Sequence, residues 1–536
     1  MRKNNLINEK NYYRGAYALL IVTFLFLCAY TSGHVLLSLD SDAASELLMG
    51  KLLADEGRLI SENFLYSTEI RILESNLIWM PLFSLIDNWY VVRIVGTVIM
   101  YFILLISLFF CCKALEMQKF FPLIAVIWLL PLSELWFENV LLFVYYVPAL
   151  APACLSIYFM MKSTEGKKSG RVAAVVLGCL MALLLGMASV RMAITQYLPM
   201  LCAVAMYLWL NSEKDGKNAF VLLILCCLTL FATLAGYVFN LAVLSDRFRF
   251  ASYSDLWFVG MDIMRLELYL TAWLACFGYM EGPVFSTSLI YCAQSGFLAV
   301  LGIYAVIYIM SHRDKYKIGA QLSAYFYLSS FVILCLVFVL SNMQFSYRYL
   351  ISVCAFSFLP IFACFGNKEC FPRSGKYVLA FFMAVILVSS AFKYREMSRI
   401  DINATKREAV DFLCEEGYTE GYASFWNANV LTELSDGEIE VWGWLDGSVG
   451  DLYEIYEWLQ PISHCYETPD GKVFIMLTQI EMAAQGNLDR IACLSDENIV
   501  FRSSEELLPE ESPEYYSYII WGYNSFEELE EDFYTP

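Results

Sequence analysis

Two carboxylates lie close together early in the chain, at Asp40 and Asp42, directly after a long apolar run. At this spacing they could share a divalent cation such as Mg²⁺ or Mn²⁺, or one could act as a general base. The alternative is structural, because Asp is a preferred N-cap residue and the sequence predicts a helix over Ala43–Ala54. The residues alone leave both interpretations open.

A second charged group follows at Glu69, Arg71 and Glu74. A guanidinium group can bind a phosphate through two hydrogen bonds, so Arg71 is a candidate phosphate ligand. The alternative is an exposed ion pair of Arg71 with one of the acids, worth well under about 1 kcal/mol. The apolar stretch Leu77–Ile86 comes next and predicts a helix along the membrane interface.

Two further arginines, Arg191 and Arg348, fall in very short turns between apolar segments. In the topology that the sequence predicts, these turns face outward, whereas Lys and Arg usually concentrate in the loops on the inner side. Their functional interpretation is an anion site at the depth of the outer headgroups, to which Asp246, Arg247 and Arg249 could add. The alternative is that the arginines snorkel to lipid phosphates.

The elements that must position these residues follow from composition. The chain has 536 residues, of which 59% are hydrophobic and 17% charged, and this excludes a soluble enzyme, a disordered protein, a coiled coil and a nucleic-acid-binding protein. Residues 395–536 hold 31 acidic and 7 basic residues, whereas residues 1–394 carry a net charge of +5. The sequence therefore predicts an apolar part over 1–394 and an acidic domain over 395–536.

Apolar runs of about 20 residues are long enough to cross a bilayer. We predict eleven spans, at 16–39, 91–112, 120–136, 140–161, 172–189, 192–210, 219–244, 286–310, 318–340, 349–366 and 377–393.

Basic residues concentrate in alternate loops, which predicts that the N-terminus lies inside and that the acidic C-terminal domain lies outside the plasma membrane. The long loops 39–90 and 245–285 then face outward as well. The apolar patch Leu266–Met280 would break this pattern as a span, so we interpret it as interfacial or re-entrant. The fold class expected is an all-α polytopic membrane protein with a C-terminal extracytoplasmic α/β domain.

Residues 395–536 combine helical and strand-like patterns. We predict helices at Ala404–Glu416, Asp451–Leu459 and Phe526–Phe533, and strands at Tyr422–Trp426, Glu438–Trp444, Lys472–Leu477 and Tyr518–Trp521. This alternation favours a partly parallel sheet covered by helices. The tryptophans of this domain could bind sugar rings, but aromatic residues at strand positions more often form the core.

The first apolar segment followed by an Asp-x-Asp motif, many further segments and an outer C-terminal domain resembles the GT-C superfamily of membrane glycosyltransferases. The likeness is to bacterial proteins related to glycosyltransferase 39 and to dolichyl-phosphate-mannose mannosyltransferases. Four further stretches carry it: Tyr66–Arg71 with Pro81–Phe83, Arg191 with Tyr197–Pro199, Arg348–Ile351, and Tyr422–Gly437.

The resemblance implies roles for the residues named above. Asp42 would be the general base, preferred because it opens the predicted helix, and Asp40 would assist it or bind metal. Arg71, Arg191 and Arg348, with Glu69 beside them, would bind the donor phosphate. A divalent cation, Mg²⁺ or Mn²⁺, would be compatible with the two aspartates but is not required.

The activity expected from this resemblance is inverting transfer of a sugar, of hexosyltransferase type, from a polyprenyl-phosphate donor. The acceptor would be a cell-envelope glycan, lipid or protein on the outer side, and no nucleic-acid partner is expected. One alternative is a polysaccharide polymerase or ligase, which the early Asp-x-Asp disfavours. Another is a transporter or flippase of lipid-linked sugars, which usually carries ionisable groups in mid-span.

Overall fold

The computed structural model describes residues 2–70, 72–250, 257–445, 449–484, 487, 493–509 and 512–534, with the backbone alone at 2–11 and 212–218. Most of these residues are helical. The helices are α1 Arg2–His34, α2 Ser41–Glu56, α3 Asn76–Phe83, α4 Trp89–Ala114, α5 Phe121–Trp128, α6 Glu134–Trp136, α7 Val147–Lys162, α8 Lys168–Ala188, α9 Leu198–Phe239, α10 Ile263–Cys276, α11 Thr287–Ser311, α12 Ile318–Leu340, α13 Ile351–Phe365, α14 Ser374–Met397, α15 Ala404–Glu416, α16 Phe425–Leu434, α17 Gln479–Ala483 and α18 Phe526–Tyr534.

The strands are β1 Phe64–Leu65, β2 Glu420–Ser424, β3 Glu440–Trp444, β4 Gln460–Pro461, β5 Val473–Thr478, β6 Ile499–Arg502 and β7 Tyr518–Tyr523. The chain forms two compact units. The helical unit comprises Met1–Thr31, Val98–Val243 and Ser252–Met397, and the mixed unit comprises Ser32–Thr97, Leu244–Ala251 and Ser398–Pro536. The mixed unit therefore joins the first predicted outer loop to the C-terminal domain.

Within the described residues, nine helices are long and apolar enough to cross a membrane, so the chain is a multi-pass membrane protein by length and composition. They are Tyr12–Leu37, Trp89–Ala114, Lys168–Ala188, Ala193–Asn211, Ala219–Leu244, Thr287–Ser311, Ile318–Leu340, Tyr347–Phe365 and Ser374–Met397. Each corresponds to one of the predicted spans.

The two remaining predicted spans, 120–136 and 140–161, take other forms. Inside the first, α5 has only eight residues and is about 12 Å long, too short to cross a bilayer. At the second, the helical segment Glu134–Leu142 and α7 form a pair bent by 81°, which is either a broken span or a re-entrant loop. Val144 lies at the bend with a φ of 54°. Pro148 lies in the first turn of α7, where a backbone N–H has no acceptor within the helix, so the missing N–H of proline costs no hydrogen bond. Hydropathy alone did not reveal these breaks.

Helix α9, of 42 residues, covers most of two predicted spans, 192–210 and 219–244. The Cys226 thiol lies 3.9 Å from the Met200 carbonyl oxygen, although 26 helical residues would extend about 39 Å if straight. The chain therefore turns back between them, where the polar stretch 211–218 lies. Helix α10 falls in the patch predicted as interfacial; its 14 residues extend about 21 Å, and its interfacial location stays a prediction.

The sheet of the mixed unit has five strands in the order β3-β2-β5-β7-β6. Strands β3, β2 and β5 run parallel, and β7 and β6 run antiparallel to their neighbours, which confirms the predicted partly parallel sheet. Two hydrophobic clusters fill its core, one around Tyr422, Trp444 and Trp521, the other around Phe474 and Ile520.

The predicted helix Ala404–Glu416 is confirmed, and the predicted strands over β3, β5 and β7 are confirmed within two residues. The predicted helix Asp451–Leu459 is wrong. There Asp451 instead closes a local turn, since its carboxylate accepts from the Tyr453 N–H at 3.1 Å and its carbonyl accepts from the Trp444 indole at 3.1 Å. Leu459, at φ 50°, then leads into β4.

Candidate functional site

Polar side chains gather at the carboxyl ends of the parallel strands of the mixed unit. Strand β2 pairs with β3 on one side and with β5 on the other, so the ends of β2 and β5 form a topological switch point. In open α/β sheets ligands bind at such points, outside the carboxyl ends of the strands. Ser424 ends β2 and Thr478 ends β5, and each is followed at once by a helix, α16 and α17.

The side chains at this edge form one buried hydrogen-bond network. Thr478 and Glu481 form a reciprocal capping box, in which the Glu481 carboxylate accepts from the Thr478 N–H at 2.7 Å. The Asn427 amide donates to Ser424 Oγ at 3.0 Å and to Glu481 Oε1 at 3.4 Å. The Tyr518 hydroxyl donates to Asn427 Oδ1 at 3.4 Å. Glu481 is thus a carboxylate fixed at the switch point, although it is only 7% exposed.

The acidic pair of the first loop belongs to the same unit. Asp40 is the N-cap of α2, and its carboxylate accepts from the Ala43 N–H at 2.8 Å, which confirms the capping interpretation for this residue. Asp42 lies in the first turn of that helix, and both side chains are half-buried. The predicted helix is confirmed and extends over Ser41–Glu56.

Residues just before α15 form hydrogen bonds with the backbone that precedes Asp40. The Ile402 N–H donates to the Leu37 carbonyl at 2.9 Å. The Asn403 amide donates to the carbonyls of Leu36 at 3.0 Å and Leu39 at 2.9 Å. Three hydrogen bonds from the C-terminal residues therefore fix the backbone immediately before the acidic pair.

Lys406 lies one turn into α15 and is only 7% exposed. Burial lowers the pKa of its ammonium group to about 8, and this effect exceeds the opposing attraction of the Glu481 and Asp40 carboxylates. Desolvation penalises an ammonium group unless it finds partners, so the position of this lysine requires an explanation. Lys406 is therefore attracted both to Asp40 of the acidic pair and to Glu481 at the strand ends.

A second buried cation, Arg93, fixes the other side of α2. Its guanidinium group forms an ion pair with Glu433 of α16 in which both side chains are almost fully buried. One of the two hydrogen bonds, from Nη2 to Oε2, is 2.5 Å long, and Nη2 also donates to the Ala43 carbonyl at 2.9 Å. The Ser41 hydroxyl donates to the Phe425 carbonyl, so the first turn of α2 is bound directly to the first turn of α16.

The structure corrects one part of the prediction for Glu69 and Arg71. Glu69 is buried, at 6% exposure, in the mixed unit, so it is not the exposed ion-pair partner that the sequence suggested. Arg71 lies outside the described residues. Two arginines of the long loop are bound within the same unit, Arg247 to Glu62 at 2.5 Å and Arg249 to the Tyr466 hydroxyl at 2.6 Å.

Arg191 lines a narrow, partly open cleft in the helical unit. The other lining side chains are mostly apolar: Val190, Ile194, Thr195, Leu334, Val337, Phe338, Met343 and Tyr349. The Arg191 guanidinium lies 5.4 Å from the centre of the Tyr146 ring, a cation–π contact. We call this the Arg191 cleft.

Arg348 is exposed and immediately precedes Tyr349, whose ring stacks on Phe338 at 5.7 Å within the cleft lining. The structure thus brings the short turns of Arg191 and Arg348 to one cleft of the helical unit. The remaining predicted site residues in the described part of the chain, Asp40, Asp42 and Glu69, belong to the mixed unit.

Metal-ligand chemistry was a further expectation for Asp40 and Asp42. In the part of the chain that the structure describes, no group of three or more His, Cys, Asp or Glu side chains could hold a metal ion. Two carboxylates can still bind Mg²⁺ when phosphate oxygens of a substrate supply further ligands, because Mg²⁺ is often bound by one or two carboxylates and a phosphate. Cation binding by this pair stays a prediction.

Sequence reasoning missed Asn403, Lys406, Asn427, Glu481 and the Arg93–Glu433 pair. A signal for Lys406 was present, because residues 406, 409, 410 and 413 recur at helical spacing and all are buried. A lysine on this apolar face was a visible anomaly. The other residues acquire their importance only through partners far away in the sequence.

Comparison with protein-family models and with curated proteins gave no match to this chain.

Proposed function

We propose that the protein is an integral membrane glycosyltransferase that uses a polyprenyl-phosphate sugar as donor. The observation that carries the proposal is the Arg191 cleft, where one guanidinium group borders a space with mostly apolar walls. A polyprenyl phosphate has the matching chemistry, since its chain is apolar and its headgroup is anionic. Arginine binds phosphate with well-oriented hydrogen bonds, and Arg348 beside Tyr349 could add a second charge.

The acidic pair supplies the second requirement of the proposed reaction. The acceptor hydroxyl oxygen would attack the anomeric carbon of the donor while its proton passes to the Asp42 carboxylate. The bond between the anomeric carbon and the phosphate oxygen would break, and its electron pair would leave with the polyprenyl phosphate. Attack from the face opposite the leaving group inverts the anomeric configuration. Asp40, already the cap of α2, would support Asp42.

The topology belongs to the same proposal. The N-terminus would lie inside the plasma membrane, and the mixed unit with its acidic residues would face outward. The acceptor would then be a glycan, lipid or protein of the cell envelope. A flippase would need no general base, so the fixed Asp40–Asp42 segment favours the transferase.

The direct test is sugar transfer by the full chain in proteoliposomes, using radiolabelled polyprenyl-phosphate sugars and a membrane-extract acceptor. Asp42→Asn should lower the rate by about 10²–10⁴-fold, because general-base assistance contributes that much. Asp411→Asn, an exposed carboxylate of the same unit, is the matched control and should retain activity. Melting temperatures of both variants show whether they fold.

Arg191→Gln tests the donor site in the same assay. It should raise the KM for the donor lipid by at least about tenfold, because losing a charge-assisted contact costs about 1.5–3 kcal/mol. The control is Arg171→Gln, an exposed arginine of the helical unit. If the wild type transfers no sugar but moves labelled lipid across the bilayer, the transferase proposal is wrong and the flippase is favoured. If both Asp42→Asn and Asp40→Asn retain full activity, the base is elsewhere.

A further inference from the structure

An open groove with aromatic walls lies on the surface of the helical unit, between α11, α13 and α14. Its lining residues are Phe297, Val300, Leu301, Tyr304, Phe365, Tyr377, Val378 and Phe381. Several of them are well exposed, among them Val300 at 64% and Tyr377 at 76%. All three helices belong to segments that are long and apolar enough to cross a membrane, so an exposed groove between them faces lipid rather than water.

Ring contacts between the helices form the walls of this groove. Phe297 of α11 packs against Phe381 of α14, with ring centres 5.4 Å apart. Tyr304 of α11 stacks on Phe365 of α13 at 5.8 Å. Phe297 and Tyr304 are two turns apart, so the groove extends about 10 Å along α11. This is about a third of the hydrocarbon core of a bilayer, enough for the upper part of a lipid tail.

One end of the groove continues into the loops that follow α11 and α13. Tyr308 stacks on Tyr304 at 5.6 Å, and His312 stacks on Tyr308 at 4.2 Å. Phe371 packs on Tyr308 at 4.9 Å and on Phe365 at 5.1 Å. A continuous set of rings therefore connects the apolar groove to both loops.

These two loops, residues 311–317 and 366–376, hold six basic and two acidic side chains. The Asn367 amide donates to the Lys315 carbonyl at 2.8 Å, which joins one loop to the other. Lys317 forms an ion pair with Glu116. Four further bases make no ion pair within the part of the chain that the structure describes: Arg313, Lys315, Arg373 and Lys376. Their charges remain available to an anion from outside the chain.

The combination of apolar groove and basic loops restricts what could bind. A small soluble anion would leave the groove unfilled, and a zwitterionic lipid would fill it without neutralising the bases. A molecule with apolar tails and an anionic headgroup satisfies both parts. Basic pockets between membrane-spanning helices bind anionic lipid headgroups in this way.

We infer that this groove is a binding site for an anionic phospholipid of the surrounding bilayer. Its tails would lie against Phe297, Tyr304 and Phe381, and its phosphate beside Arg373 and Lys376 at the start of α14. In the predicted topology both loops face inward, so the phospholipid would belong to the inner leaflet. The site goes beyond the proposed function, because it shares no residue with the Arg191 cleft and needs no sugar transfer.

The test is a lipid titration of the full chain in a non-ionic detergent, followed by native mass spectrometry. The probes are dimyristoyl phosphatidylglycerol and dimyristoyl phosphatidylcholine, which have the same tails and differ in headgroup charge. The wild type should bind the phosphatidylglycerol at least about tenfold more tightly, since each basic group near an anionic headgroup contributes about fivefold.

Two kinds of variant separate the headgroup from the tails. The double variant Arg373→Gln/Lys376→Gln should weaken phosphatidylglycerol binding by about 30-fold and leave phosphatidylcholine binding unchanged. The double variant Lys168→Gln/Arg171→Gln, at exposed bases of α8, is its matched control and should keep the preference. Val300→Trp fills the groove and should weaken both lipids.

Val176→Trp, at a similarly exposed position on α8, is the control for Val300→Trp and should bind both lipids like the wild type. Equal affinity of the wild type for the two phospholipids would overturn the inference. An equal loss of preference in the two double variants would overturn it as well, because any basic loop would then suffice. If a polyprenyl phosphate displaces the phosphatidylglycerol and binds more tightly, the groove belongs to the donor lipid and the inference is wrong. The titration measures no transfer, so none of these results depends on the proposed activity.

Discussion

Arg93 and Lys406 are buried cations of the same unit, but their surroundings are opposite. Arg93 pairs with a buried glutamate and also donates to the Ala43 carbonyl. Lys406 has carboxylates near it but makes no hydrogen bond or ion pair within the described chain. A completed buried ion pair is held by the contacts of both partners, whereas a buried cation without contacts bears the full cost of desolvation. The comparison separates a cation that binds α4 to α16 from a cation whose burial is opposed by desolvation.

The largest effect should come from breaking the completed pair. Glu433→Gln leaves the Arg93 charge buried, and losing one member of a buried ion pair typically destabilises by about 3–5 kcal/mol. Thermal unfolding of the full chain in nanodiscs should show a large fall in melting temperature, with loss of hydrogen-exchange protection in α16. If Glu433→Gln unfolds like the wild type, Arg93 is no more structural than Lys406 and the comparison fails.

Lys406→Met should act in the opposite direction. The folded-state pKa is lowered from 10.5 to about 8, so the unfolded chain binds more protons between these values and wild-type stability should rise with pH across that window. The full rise corresponds to about 3 kcal/mol. Lys406→Met should be more stable than the wild type at pH 7 and should lack this slope.

The measurement is the free energy of local opening of α15 by hydrogen exchange between pH 7 and 10. Arg407→Met, which changes a half-exposed cation of the same helix that is paired with Asp401, is the control and should keep the slope. A flat profile in the wild type would contradict the lowered pKa of Lys406.

A smaller effect should follow from the cap of α2. Asp40→Ala removes the acceptor of the Ala43 N–H and should cost about 1 kcal/mol of local stability in α2. Asp40→Asn keeps a good cap and should cost little, but it removes the charge that attracts Lys406. Hydrogen exchange in the first turn of α2 distinguishes the two variants, and equal losses in both would show that the charge, not the cap, is what matters.

The smallest effect is expected at the exposed end of the same helix. Lys51 and Asp55 form an i,i+4 ion pair at 2.5 Å with both side chains exposed. Lys51→Gln should change stability by no more than about 0.5 kcal/mol. A loss comparable to that of Glu433→Gln would mean that burial does not control the strength of charge pairs in this unit.

Much of the helical unit could be predicted from hydropathy, because every spanning helix needs a long apolar run. The failures have local causes. A sequence of apolar residues from 120 to 161 does not reveal that Val144 adopts a positive φ and that the chain bends there. The predicted helix over Asp451–Leu459 failed because side-chain bonds of Asp451 and packing of Trp444 outweigh weak helical periodicity.

The site could be predicted only in part. Asp40 and Asp42 stand out by type and spacing, and Arg191 by its position in a short turn. Asn403 and Glu481 look ordinary in the sequence, since their roles depend on a backbone carbonyl at Leu39 and a strand end at Thr478. Which distant residues become partners depends on the order of the strands in the sheet, and short sequence patterns do not predict that order.

The mixed unit has a consequence for how the protein is made. Ser41 bonds to Phe425, Arg93 to Glu433, and β1 pairs with β4, so its first segment and its last are more than 300 residues apart. At ribosomal rates of about 5–20 residues per second, the early loop waits on the order of tens of seconds for its partners. During that time the Arg93 side chain lacks its partner Glu433. Synthesis of this membrane protein therefore creates a long-lived intermediate that chaperones or proteases could recognise before the last strand forms.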